Sequence, residues 1–200
     1  MLGVVMAGGL STRLGQDKVR LSVHGEGMPD MLQRTVALLE QCTNAVCVSA
    51  RASRDVTPYT LIADETEGQG PFGGIYSVLR RTGQPLLVLS CDLPFIDEAT
   101  VQRLLAARAA RQRGAIMTTF QQQETGFIEA LVAVYEPECL PFFAAAQEQG
   151  IRKLSRVVPP HLREHIPYGQ EEALPFFNIN YPEDFALACR MAAQLPCLEI

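Results

Sequence analysis

The chain has 200 residues, 48% apolar and 20% charged, which is enough apolar side chain to fill a sizeable core without disulfides. Seventeen basic against twenty-two acidic residues give a formal charge of −5, which argues against a non-specific nucleic-acid binder but leaves room for a locally positive pocket. No stretch reaches the roughly 18 apolar residues of a membrane span, the apolar opening lacks the basic flank of a secretory signal, and six scattered cysteines form no CxxC pair. The expectation is therefore a cytoplasmic protein with reduced thiols, no membrane contact and no nucleic-acid partner.

In chain order, residues 2–6 (LGVVM) read as a short strand stopped by Gly8 and Gly9. Residues 31–42 place Leu32, Val36 and Leu39 at helical spacing behind Pro29 and Asp30, which suit a helix start. Strands are predicted over 45–49 and 60–63, a helix over 72–81 after a glycine-proline turn, and a buried strand over 86–90 (LLVLS). A long amphipathic helix is predicted over 97–113, ended by Gly114. Its cations Arg103, Arg108, Arg111 and Arg113 read as a solvated face. Strands follow over 115–119 and 130–135, helical segments over 137–149 and 151–158, and a last strand over 176–179 (FFNI). The closing helix is predicted over 182–195, with Pro182 at its first position.

Helices alternating with continuously apolar strands predict a three-layer α/β/α fold with a mostly parallel, Rossmann-like sheet. No linker or repeat divides the chain, so one domain over 1–200 is expected. Ligands of such sheets bind beyond the carboxyl ends of the strands, and the residues that follow the strands are the candidates.

After the first strand comes MAGGLSTRLGQDK, residues 6–18. Gly8 and Gly9 let the backbone approach a ligand, beside Ala7 and Ser11. Arg13 offers a planar fork and Lys18 a point charge, both suited to phosphate oxygens. The loop reads as a phosphate cradle without Walker spacing; an ordinary βα turn with two solvated cations is the duller alternative. After 60–63 come Asp64 and the glycines Gly70 and Gly73, ahead of a helix whose first N–H groups suit a ribose, base or phosphate. After 86–90 comes Asp92. A carboxylate at the end of so apolar a strand needs a cation, and Mg²⁺ fits, since it takes one or two carboxylates plus phosphate oxygens and water. The alternative for Asp92 is a helix N-cap, a role for which Asp97 is better placed. Asn178 and Asn180, two apart on an extended segment, face the same way; they are either a site pair or a turn.

These residues resemble the molybdenum cofactor guanylyltransferase family, a branch of the glycosyltransferase-A-like nucleotidyltransferases. The first segment matches the family form LAGGxSxRxGxDK with Met6 in place of Leu. GPFGGI at 70–75 resembles the family's GPxxG, SCDLPFI at 90–96 its CDxP, and FFNINYPEDF at 176–185 its NxNxPED. The motifs keep the family's order along nearly the whole chain.

The resemblance implies a sheet of the nucleotide-diphospho-sugar transferase type and transfer of GMP from GTP to the terminal phosphate of molybdopterin, with Mg²⁺ as cofactor. Ala7, Gly8, Gly9 and Ser11 would contact the nucleotide with Gly70 and Gly73. Arg13 would bind the triphosphate, Lys18 would sit near the reacting phosphates, Asp64 would hold the guanosine and Asp92 the Mg²⁺. Asn178 and Asn180 would lie toward the acceptor or the metal. Contacts with molybdoenzyme maturation proteins are a further implication.

Relatives that use CTP tend to carry AAG where this chain has Ala7-Gly8-Gly9, and the missing Cβ favours a purine. The chain also departs from the family at Tyr181, where Thr is common. Residues 24–31 are longer than the usual turn and lack its lysine, and residues 127–130 (FIEA) lack a proline. These departures touch the acceptor side. They keep two other readings open: a related transferase using CTP or a sugar phosphate, and a non-catalytic cofactor-handling protein. Arg152, Lys153 and Arg156 are further candidates for an anionic acceptor.

Two other patterns are set aside. Residues 68–73 fit GxGxxG, but no strand runs directly into them and Pro71 interrupts. HLREH at 161–165 fits a zinc-protease pattern, but Pro167 ends any helix that would align the two imidazoles, and a surface turn is expected.

Overall fold

The computed structural model describes residues 1–9, 17–66 and 68–194. Seven strands form one sheet in the order β3-β2-β1-β4-β6-β5-β7. They are β1 (Leu2–Met6), β2 (Val46–Ala50), β3 (Leu61–Ala63), β4 (Leu86–Ser90), β5 (Met117–Gln122), β6 (Ile128–Tyr135) and β7 (Arg163–Tyr168). β1 to β4 are mutually parallel, β5 and β7 run the same way, and β6 alone is reversed. The mostly parallel α/β sheet read from the sequence is the one found.

Side chains on successive strand residues point to opposite faces, and both faces are covered. Val4, Leu86 and Val88 join Phe72, Ile75, Val78 and Phe143 in one apolar cluster. Val5, Leu87 and Leu89 join Leu32, Val36, Leu39, Val101 and Leu104 in another. Helices α2 (Gly70–Thr82) and α4 (Leu140–Glu148) thus cover one face, and α1 (Met31–Cys42) and α3 (Glu98–Ala110) the other. Each aliphatic side chain fully buried in this way contributes about 1.5–3 kcal/mol relative to exposure. Gly3 permits the close approach of α1, since a Cβ there would stand 2.8 Å from Thr43 Oγ1 and 3.1 Å from Leu39 Cβ. A third cluster packs α5 (Pro182–Ala192) through Ala188 against Val23, Met31, Phe95 and Ile179, closing one end of the molecule.

Several predicted elements are corrected. The expected strand 176–179 is absent: residues Leu174–Phe176 form a 3-10 turn and the segment after them pairs with no strand. Its aromatics serve tertiary packing instead, Phe177 against Phe95 and Phe176 against Tyr168 and Phe120. The last strand is β7, in the segment expected to be a surface turn. β7 lies at the sheet edge, where Pro167 is tolerated because its missing N–H faces no further strand. His161 sits in a 3-10 turn and His165 on β7, so no helix aligns them.

Residues 151–158 contain only the 3-10 turn Leu154–Arg156. α3 ends at Ala110, short of Gly114, and its arginines are not a plain solvated face. Arg108 makes a bidentate pair with buried Glu136 at 2.7 and 2.9 Å, and Arg103 reaches Glu172 at 2.8 Å. The N-cap of α3 is Asp97, whose side chain accepts from Thr100 N–H, which leaves Asp92 free of that role. No helix among the described residues is long and apolar enough to cross a membrane.

Candidate active site

Just beyond the carboxyl ends of β1, β3 and β4 stand Gly8 and Gly9, Asp64 and Asp92, and hydrogen bonds there fix where the chain leaves each strand. Ala7 N–H donates to the Ser49 carbonyl at 2.9 Å, Asp64 N–H to Ala50 at 3.2 Å and Cys91 N–H to Met6 at 3.2 Å. Asp64 and Asp92 therefore leave β3 and β4, with β2 and β1 between them, at one level of the sheet. Ile179 N–H donates to the Asp92 carbonyl at 3.0 Å and lays the C-terminal segment over the end of β4.

Lys18 and Asp92, 74 residues apart, meet at 2.6 Å between Nζ and Oδ2. The Ser90 hydroxyl donates to the other carboxylate oxygen at 2.5 Å. Asp92 is 8% exposed. So deep an acid is held by a charge-assisted bond on one oxygen and a hydroxyl on the other. Asp64 faces the same space. Burial raises its pKa, and a 3.3 Å bond from Ser49 Oγ partly opposes the rise.

Gly8, Gly9, Lys18, Asp64, Gly70 and Asp92 all line one cavity of about 480 Å³. Ala7 is buried beneath it, its N–H already used. Gly73 is buried inside α2, where a Cβ would meet Gln69 Cβ at 2.9 Å. Its neighbour Gly74 lets α2 approach the site, since a Cβ there would strike Ser49 Oγ and lie 3.2 Å from Asp64 Oδ1. Ser11 and Arg13 lie outside the described residues.

A second cavity of about 500 Å³ adjoins the first, and Pro71, Ser90 and Leu131 line both. Asn178, Arg152 and Lys153 line this second space. Asn180 is exposed, and its N–H donates to Asp184 Oδ2 at 2.9 Å; the two asparagines are not brought onto one cavity wall. Arg156 is exposed and away from both cavities.

Two arginines were not found from sequence. Arg51, next after β2, lines the first cavity, and its buried Nε has no partner among the described residues. Arg54 donates to Asp17 Oδ1 at 2.8 Å and to the Gly9 carbonyl at 3.0 Å. It thereby ties together the two residues that bracket 10–16. The signal available was position: both follow the carboxyl end of a buried strand.

The chain matches the MobA-like NTP transferase domain over residues 3–165. It belongs to that family. Among relatives of this MobA-like NTP transferase, the Chloroflexus aggregans protein named "Probable molybdenum cofactor guanylyltransferase" is 34% identical, with 94% of this chain and 92% of that one covered. A molybdenum cofactor biosynthesis bifunctional protein of Synechocystis is 30% identical over 92% of this chain. The chain spans about half of that protein's length, 52%. The structure of molybdopterin-guanine dinucleotide biosynthesis protein A from Archaeoglobus fulgidus superposes with a TM-score of 0.73 at 22% identity, covering 98% of this chain and 100% of that one. That likeness establishes the shared fold.

For a MobA-like NTP transferase the Arg54 tie predicts a binding defect. Arg54→Ala removes the charge-assisted bonds to Asp17 and to the Gly9 carbonyl, the residues that bracket 10–16. Nucleoside triphosphate affinity should fall about tenfold with the fold intact. Isothermal titration calorimetry checks it, and an unchanged Kd would show that the Arg54 contacts do not support nucleotide binding.

Proposed function

We propose that this chain transfers GMP from GTP to the terminal phosphate of molybdopterin, giving the guanine dinucleotide cofactor and pyrophosphate. The observation that carries the reading is the Lys18–Asp92 pair on the wall of one cavity, beside Ser90, which also lines the second. One space would take the triphosphate and the other the acceptor, with the reacting phosphates meeting at that pair. The names carried by the relatives support the choice of substrates.

An acceptor phosphate is already ionised at neutral pH, so it needs no strong general base. The chemical difficulty is gathering anions. Lys18 Nζ would neutralise charge on the triphosphate, with Arg13 of the same sequence motif adding a guanidinium, and these cations would favour the transition state. Gly8 and Gly9 would admit phosphates close to the backbone. Asp64 would orient the nucleoside, and Asn178 would contact the acceptor.

Mg²⁺ would be held by Asp92. No group of three or more His, Cys, Asp or Glu side chains among the described residues is arranged as a metal cage. One strand-end carboxylate is the donor set of an ion completed by substrate phosphates and water. Bound with the triphosphate, the ion would supply charge neutralisation at the α-phosphate and the leaving pyrophosphate.

The test is pyrophosphate release and mass-spectrometric detection of the dinucleotide from purified protein, GTP, Mg²⁺ and molybdopterin. Product from CTP or from a sugar phosphate, with none from GTP and molybdopterin, would overturn the reading. Gly8 bears on base choice. Among the described residues a Cβ there would have only Asp64 Oδ2 near it, at 4.0 Å, on the wall of the cavity that Gly8 lines. Gly8→Ala should lower kcat/KM for GTP about tenfold, and CTP less, by filling that space; steady-state kinetics with both nucleotides measures it.

A further inference from the structure

The second cavity contains a group that nucleotide transfer leaves unused. Glu129 stands on β6, the one reversed strand, so its end of β6 lies with the carboxyl ends of the parallel strands. Its neighbours on the cavity wall are the apolar Phe127, Ile128 and Leu131. The Tyr168 hydroxyl, 39 residues on, donates to Glu129 Oε1 at 2.5 Å. Among the described residues no donor reaches Oε2, and neither Arg152 nor Lys153 on the same wall forms an ion pair with it. Burial raises the pKa of this carboxyl group. A half-buried acid on an apolar wall costs desolvation unless N–H donors meet it, and among the described residues one hydroxyl is all that meets it.

We propose that Glu129 reads the acceptor ring: its carboxylate receives two adjacent N–H donors, the ring amide N–H and the exocyclic amino group of a pterin. The assignment rests on the transferase reading above and names the part of the site that selects the acceptor. A carboxylate offers two acceptor oxygens side by side and no donor, which matches a donor–donor edge and rejects a donor–acceptor one. The flanking Phe127, Ile128 and Leu131 provide apolar surface for a flat bicycle, and about 500 Å³ accommodates one with a substituent. Tyr168 is a positioning residue. It sits on β7, is buried, and fixes the carboxylate through Oε1 while the rest of the group faces the cavity it lines.

The experiment compares two rings by fluorescence titration, pterin-6-carboxylate and lumazine-6-carboxylate. They differ in that lumazine replaces the amino donor with a carbonyl acceptor. The wild-type protein should prefer the pterin by about tenfold or more. Glu129→Gln presents one N–H and one carbonyl, the complement of the lumazine edge. It should lose or reverse the preference while GTP affinity stays unchanged. Tyr168→Phe should weaken both rings yet keep the preference, which a purely structural role for Glu129 would not produce.

A Glu129→Gln protein that still prefers the pterin overturns the assignment, as does a wild type that binds neither ring or both equally. Production of the dinucleotide by a wild type that binds both rings equally removes Glu129 alone. A clear pterin preference without dinucleotide formation removes the transferase reading and leaves Glu129 in place.

Discussion

Asp92→Asn is expected to lower kcat by about three orders of magnitude and to leave the protein folded. The substitution keeps the shape of the side chain. Its amide can turn its oxygen to Lys18 Nζ and its NH₂ to Ser90 Oγ, because a hydroxyl accepts as well as donates. Both contacts that now hold Asp92, at 2.6 and 2.5 Å, can therefore be kept, and only the negative charge is lost. Without it the proposed Mg²⁺ position has no carboxylate, and the charge developing on the phosphates meets less neutralisation. Removal of one preorganised electrostatic contact typically costs ~10²–10³ in kcat, and loss of the ion's anchor falls at the upper end. Pyrophosphate release under saturating substrates gives kcat, and far-ultraviolet circular dichroism reports the fold. Turnover within tenfold of wild type would take Asp92 out of the reaction.

Such a variant can be chosen from sequence because central parallel strands announce themselves. β1 and β4 are buried on both faces, so LGVVM and LLVLS are unbroken apolar runs whose carboxyl ends can be located in the sequence. β7 gives no such signal. It is an edge strand, half-buried, reading REHIPY with a proline inside. Its place is set by pairing with β5, where His165 lies opposite Thr119 and Tyr168 opposite Gln122. Conversely, FFNI has the composition of a strand but spends its apolar groups on Phe95 and Phe120 across the end of the sheet.

The site divides the same way. Gly8, Gly9 and Lys18 stand in one glycine-rich segment after β1, and Asp64 and Asp92 each follow a short strand. Arg54 acquires its role through Asp17 and Gly9, 37 and 45 residues back, and Glu129 through Tyr168, 39 residues on. Position just after β2 is the local hint for Arg54, but what gives both residues their partners is the tertiary approach of segments distant in sequence. Residues 127–130, where the chain departs from its family's usual pattern, form part of the second cavity's wall, the space that the proposed function assigns to the acceptor.

Lys18→Ala is expected to lower kcat/KM for GTP by about 10²–10³ and also to destabilise the protein, which Asp92→Asn should not do. Lys18 Nζ is the cation at Asp92 Oδ2, and the two side chains are only 16% and 9% exposed. Removing the cation leaves a nearly buried carboxylate with one hydroxyl. The cost is about 1–3 kcal/mol, moderated by water entering from the cavity. Combining Lys18→Ala with Asp92→Asn removes the stranded charge along with its partner, so the double variant should regain much of the lost stability. Its activity should not fall by the product of the two single losses, because groups that act on the same phosphates fail together. Thermal unfolding and GTP kinetics on the four proteins of this cycle separate the outcomes. Additive effects in both measurements would mean that Lys18 and Asp92 work independently, and the 2.6 Å contact between them would then be incidental to catalysis.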